Sequence, residues 1–157
     1  MDDLARLAAI EEIKDLKARY LRFVDTRDFA GLADVLCADA SFDTTEASQV
    51  TPVGGATVGR AGPIVTGRDA VVGMIRGALE TVTSTHHGHC HEVTIDSDTE
   101  AHGIVAMEDV LRGLDRKTHV LHGLGHYHER YRFEDGAWRI ATIKLTRLAL
   151  DPQPAGA

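Results

Sequence analysis

The spacing of apolar residues along this chain changes once, near residue 86, and that change constrains the fold more than any other feature. Upstream, apolar side chains recur every three or four residues. From Leu4 to Val24 the stripe Leu4, Leu7, Ile10, Ile13, Leu16, Tyr20 and Phe23 is interleaved with Glu11, Glu12, Lys14, Lys17, Arg19 and Arg22, which predicts an amphipathic helix of about six turns. Asp28 is placed to cap a second helix through Phe29, Leu32, Val35 and Leu36, and Ala40-Ser41-Phe42-Asp43 reads as a short extended segment. Five glycines, Gly54, Gly55, Gly59, Gly62 and Gly67, with Pro52 and Pro63, make residues 44–67 a long loop or irregular hairpin of the kind that often serves as a lid. Val71, Val72, Ile75 and Leu79 then mark a third helix over Arg68 to Leu79.

Downstream, Val93, Ile95, Ile104, Val105, Met107, Val110 and Leu111 alternate with polar residues, interrupted at Asp96-Ser97-Asp98 and Gly113-Leu114-Asp115. Val120 to Phe133, the Asp135-Gly136 turn and Trp138 to Leu150 predict a hairpin. Helices followed by a strand meander is the α+β pattern: three N-terminal helices packed on one face of a curved antiparallel sheet, together a cone that encloses a pocket. Residues 1–150 are expected to form a single domain and 151–157 a disordered tail with nothing to bury.

With 17 Lys plus Arg against 24 Asp plus Glu, the net charge is -7, and such a chain repels phosphate backbones and anionic membranes. Nucleic acid and membrane are therefore not expected as partners. Aromatics at 5% leave few stacking platforms, so a small apolar or mixed ligand fits better. The acidic Met1-Asp2-Asp3 start is unlike a secretory leader, and no apolar run is long enough to span a bilayer, so a cytoplasmic location is expected, with Cys37 and Cys90 as free thiols. Nine histidines are the one compositional excess.

Several runs, in order, resemble the SnoaL-like proteins of the nuclear transport factor 2 superfamily: Ile10 to Tyr20, Val24-Asp25-Thr26-Arg27-Asp28-Phe29, Leu36 to Phe42, Gly67-Arg68-Asp69-Ala70, Thr85-His86-His87, His122 to Tyr131, and Asp135 to Ile140. The resemblance covers about residues 5–148. It implies the cone fold and much less about reaction, because the superfamily holds dehydratases, isomerases, cyclases, hydrolases and non-enzymes. Scytalone dehydratase, bile-acid 7α-dehydratase and hexachlorocyclohexane dehydrochlorinase look similar in pairing an Asp at the end of the first helix with a His on the first long strand. The matching positions are Asp25 and His86, and Tyr20 matches a cavity tyrosine suited to a leaving hydroxyl. No cofactor and no metal are implied.

The residues themselves leave alternatives. A carboxylate at Asp25 meets the negative end of the helix dipole, so it either ties the turn, in competition with Thr26 and Asp28, or holds a histidine. An ionised Asp accepting from one ring nitrogen of His86 would fix its tautomer and let the other nitrogen take a proton from carbon. His87, on the opposite strand face, is the fallback base. Tyr20 lies about 140° from Asp25 on an ideal helix, so either the helix distorts or Tyr20 is core. His126, Tyr127 and Tyr131 are candidate substrate-binding residues; His122, His126 and His128 share one strand face, the two tyrosines the other, and which looks inward is open. Lys144 on the last strand is an electrostatic candidate. A rival reading sets His87, His89 and His91 on one face and adds His126 and His128 as a Zn or Fe site, against which the helical first half argues. The expected function is a cofactor-independent lyase (dehydratase or dehydrohalogenase) or isomerase on a small hydrophobic cyclic substrate. The alternative is a non-catalytic small-ligand-binding or interaction protein of the same fold. A homodimer is expected, since the outer sheet face carries apolar positions that need cover.

Overall fold

A computed structural model describes residues 1–152. Helix α1 (Asp3–Thr26) starts at Asp2, whose carboxylate accepts the Ala5 N–H at 2.8 Å. Helix α2 (Phe29–Asp34) starts at Asp28, which accepts the Gly31 N–H at 2.9 Å. It ends earlier than the apolar spacing predicts: Leu36 and Cys37 open strand β1 (Leu36–Asp43) and are fully buried there, so sheet packing overrides local helical periodicity. Within residues 44–67, β2 (Gln49–Val50) and β3 (Val58–Gly59) form a small ribbon, and β4 (Ile64–Thr66) returns to pair with β1. Helix α3 (Arg68–Ala78) and four long strands follow: β5 (Val82–Ile95), β6 (Glu100–Gly113), β7 (His119–Glu134) and β8 (Ala137–Pro152).

The α+β architecture is as expected, with helices at the N-terminal end packed on one face of a six-stranded sheet ordered β4-β1-β8-β7-β6-β5. The sheet is mixed rather than antiparallel, because β1 runs parallel to β8. Consecutive strands joined by short turns must be antiparallel, but β1 is reached from the helices and is free of that constraint. Asp135 and Gly136 both take positive φ, 51° and 77°, the backbone of the tight hairpin turn that the Asp-Gly pair predicts. Register shifts at Gly88/His91, Leu111/Arg112, Leu124/Gly125 and Arg130/Tyr131 add the local bends from which a sheet gains curvature. Strand β8 pairs as far as Pro152, so residues 151 and 152 belong to the sheet, and the rest of the expected tail, 153–157, lies outside the described residues. No helix among the described residues is long and apolar enough to cross a membrane.

Alternation decides what looks inward. Val105, Met107 and Asp109 on β6, Tyr127, Glu129 and Tyr131 on β7, and Ile143 and Leu145 on β8 are buried, whereas their sequence neighbours are not. Against that face pack Ile13, Leu16, Tyr20 and Val24 of α1. Lys17, which the amphipathic pattern groups with the polar positions, is instead fully buried among them. Its Nζ donates to Glu129 Oε1 at 2.5 Å, the Tyr131 hydroxyl donates to Glu129 Oε2 at 2.7 Å, and the ammonium lies 3.5 Å and 4.2 Å from the ring centroids of Tyr127 and Tyr20. Burial pulls the Lys17 ammonium below the usual lysine range, and the charge and hydrogen bond of Glu129 resist that pull.

Candidate active site

The C-terminal turn of α1 is anchored to β5 by its own cap. Arg27 takes the left-handed conformation, φ 58°, and its guanidinium donates to the Leu79 and Val82 carbonyls at 2.5 and 2.6 Å. This brings Asp25 against the start of β5. Asp25 Oδ1 lies 2.6 Å from His86 Nδ1 and accepts the Ser84 hydroxyl at 2.8 Å, while Oδ2 accepts the His86 backbone N–H at 2.8 Å. Both carboxylate oxygens are therefore held by one strand, which compensates a negative charge at the wrong end of a helix. Burial pushes the Asp25 carboxyl up, but the His86 hydrogen bond and charge, the backbone N–H and Ser84 outweigh it and hold the group below the usual carboxylate range. The hydrogen bonds of the turn are made by its neighbours: Asp28 caps α2 and the Thr26 hydroxyl bonds the Arg22 carbonyl.

His86 stands between two spaces. On one side is a cavity of about 260 Å³ between α1, α3, the segment after β1 and the inner sheet face, with apolar walls from Val24, Phe42, Ile75 and Leu145 and polar groups from Tyr20, His86, Asp109 and Tyr127. On the other is an open groove of about 550 Å³ lined by Arg22, Asp25, His87 and His89. Asp25 thus reaches His86 from behind, and Tyr20 faces the cavity from the same helix. The 140° between them needs no helix distortion. His86 Nε2 has no hydrogen-bond partner among the described residues. Tyr20 and Tyr127 meet edge to face at 6.3 Å, and burial holds both phenols well above their ordinary ionisation range, so each is a neutral donor.

The other expected residues separate. His126 and Lys144 are corrected to the outer face: His126 pairs across the sheet with Ala106 and Thr146, and Lys144 with His128 and an ion pair to Glu46. Their strand neighbours Tyr127 and Leu145 take the inward positions, and period-2 alternation allows no other arrangement. Tyr131 does point inward, yet its hydroxyl is spent on Glu129 and it does not line the cavity. His122, His126 and His128 do share one face, the outer one. The His87, His89, His91 face is broken by the bulge after Gly88: His87 pairs outward with Glu108, and His91 pairs inward with Val105. His87 and His89 approach the Glu108 carboxylate at 3.7 and 3.8 Å, and His122 bonds it at 2.7 Å. Among the described residues no group of three or more His, Cys, Asp or Glu is arranged to hold a metal ion.

Missed by sequence reasoning is Asp109, directly opposite His86 in the β5–β6 register and bound bidentate by Arg147 at 2.6 and 2.9 Å. The signal was present: Asp109 falls in the inward series with Val105, Met107 and Leu111, where an unpaired carboxylate would be costly.

The sequence matches the SnoaL-like domain family over residues 5–144. Solved structures of the same fold include a hexachlorocyclohexane dehydrochlorinase of type 2, 21% identical, with a TM-score of 0.77 over 99% of this chain and 95% of that one. A candidate scytalone dehydratase from Novosphingobium aromaticivorans is 18% identical, with a TM-score of 0.76 over 98% of this chain and 97% of that one. A type 3 hexachlorocyclohexane dehydrochlorinase from Novosphingobium barchaimii is 20% identical, with a TM-score of 0.75 over 99% and 97%. At these identities the likeness establishes the fold.

Proposed function

The chain belongs to the SnoaL-like domain family, and from that premise we propose that it is a cofactor-independent lyase, a dehydratase or dehydrohalogenase, or an isomerase, acting on a small hydrophobic cyclic substrate through His86 and Asp25. The observation that carries this reading is the 2.6 Å contact between Asp25 and His86 Nδ1, with His86 itself on the wall of an apolar cavity. Structural neighbours whose names describe loss of HCl from hexachlorocyclohexane, or of water from scytalone, are consistent with it.

Asp25, held ionised, places the His86 proton on Nδ1 and leaves the Nε2 lone pair toward the cavity. Nε2 takes a proton from a ring carbon, and the C–H electron pair becomes the new C=C bond as the leaving group departs from the adjacent carbon with its own pair. The neutral Tyr20 hydroxyl donates a hydrogen bond to the departing oxygen or halide, and Asp25 stabilises the imidazolium. Return of that proton to hydroxide or water restores the base. In an isomerase the same proton returns to a different carbon.

The test uses D2O and small cyclic compounds bearing a halide or hydroxyl beside an acidic C–H. Wild type is expected to release halide or water, or to exchange the C–H for deuterium, and His86→Ala to do neither; equal rates in the two would overturn the proposal. The chain is further proposed to be a homodimer. Leu124 and Leu148, on the last two strands, are 40% and 66% exposed and suit cover by a second copy. Light scattering at micromolar concentration should give about twice the 17.0 kDa chain mass, and a single chain mass would refute the dimer.

A further inference from the structure

We infer that Asp109, held by Arg147, determines which ligand the cavity accepts: a neutral ring compound carrying a hydroxyl or N–H donor, and not an anion. The inference rests on the cavity being the substrate site, and it concerns a residue outside the proton transfer itself.

Asp109 is 4% exposed, and it lines the cavity beside its cross-strand partner His86. Arg147 reaches it from β8 across the intervening strand β7. The guanidinium donates from Nη1 to Oδ1 at 2.6 Å and from Nη2 to Oδ2 at 2.9 Å, and its Nε donates to the carbonyl of Ala47, another cavity residue, at 2.9 Å. The crossing is possible because β7 carries Gly123 opposite Asp109. A Cβ at position 123 would fall on Asp109 Oδ1 and Arg147 Nη1. A glycine inside a strand weakens the strand, and here its gain is the room for this pair.

A carboxylate offers about four acceptor positions and a bidentate guanidinium fills two. No other donor among the described residues reaches Asp109. The acceptor capacity that remains faces an apolar cavity, where an unfilled acceptor is costly and a ligand donor satisfies it. In this bidentate contact both Asp109 oxygens act as acceptors, and the proposed ligand meets the group in that accepting role. A ligand carboxylate would therefore set a second negative group against Asp109, on a chain of net charge -7. A site with a fixed buried acceptor discriminates against analogues that lack the matching donor.

Phenol, toluene and benzoate separate these features, since phenol and toluene differ by OH against CH3 on one ring. Binding is read by calorimetry, with the His86 ring resonances locating the ligand in the cavity. Wild type should bind phenol at least about tenfold more tightly than toluene, the worth of one hydrogen bond to a charged acceptor. Benzoate should bind more weakly than phenol. Asp109→Asn leaves Arg147 without its carboxylate and is liable to unfold, so the decisive variant is Asp109→Leu/Arg147→Met, which removes both charges together and is expected to stay folded. In it the phenol preference should vanish. Equal wild-type affinities for phenol and toluene, benzoate binding as tight as phenol, or a phenol preference that survives the double variant would each overturn the inference. Absence of any ring binding would overturn it together with the cavity reading. A preserved phenol preference alongside undiminished turnover in Asp25→Asn would instead remove the proposed chemistry and leave this inference standing.

Discussion

Asp25→Asn is expected to leave the fold in place and to lower turnover by roughly 10² to 10⁴, the worth of a positioned acid or base. Asn has nearly the same shape and still accepts the His86 backbone N–H that Asp25 Oδ2 accepts at 2.8 Å. Its amide, turned toward Nδ1, would donate where the carboxylate accepts. That favours the tautomer with the proton on Nε2, aimed at substrate, and it removes the charge that stabilises the imidazolium. His86→Ala should be at least as damaging. The double variant should be little worse than the worse single one, because two residues acting as a unit lose their function together. A chelator should leave the rate unchanged. Steady-state rates on the first substrate identified check all four statements, and turnover in Asp25→Asn within a few-fold of wild type would contradict the proposed roles.

The largest effect on stability is expected at the buried ion pair. Lys17→Met leaves the Glu129 carboxylate, wholly shielded from solvent, with only the Tyr131 hydroxyl, and should cost about 3–5 kcal/mol of unfolding free energy. The matching Glu129→Leu change strips the Lys17 ammonium of its counter-charge and should cost a similar amount, partly offset by the Tyr127 and Tyr20 ring faces beneath it. Lys17→Met/Glu129→Leu removes both charges and should lie well above either single variant. Urea denaturation of the four proteins measures the coupling directly. Additive single losses would show that the contact is not energetically a pair.

Much of this was legible in the chain. The 3.6-residue and two-residue periods, the Asp28 cap and the Asp-Gly turn are local signals, and the elements they predict form within a few residues of the expected ends. Asp25 and His86 were legible by resemblance and by the oddity of a carboxylate at a helix C-terminus. What was not legible depends on which strand lies beside which. The direction of β1, the outward turn of His126 and Lys144, and the bulge that separates His87 from His91 are all set by pairing between distant segments. The buried charges lie between these cases. Ile13, Lys17, Tyr20 and Val24 follow core spacing on α1, as Tyr127, Glu129 and Tyr131 do on β7. Opposite charges on two apolar stripes are a readable sign of a buried pair. The partnership of Asp109 with Arg147 is less readable, because it needs the strand order and the gap at Gly123.

The central claim is that Asp25 prepares His86 as a base whose free nitrogen faces the cavity, and it can be tested without a substrate. Long-range ¹H–¹⁵N correlation spectra of the imidazoles, assigned by comparison with His86→Ala, report which ring nitrogen of His86 carries the proton in its neutral form. The account predicts a protonated Nδ1 and a bare Nε2 in the wild type, with that preference lost in Asp25→Asn. A neutral His86 with its proton on Nε2 in the wild type would contradict it.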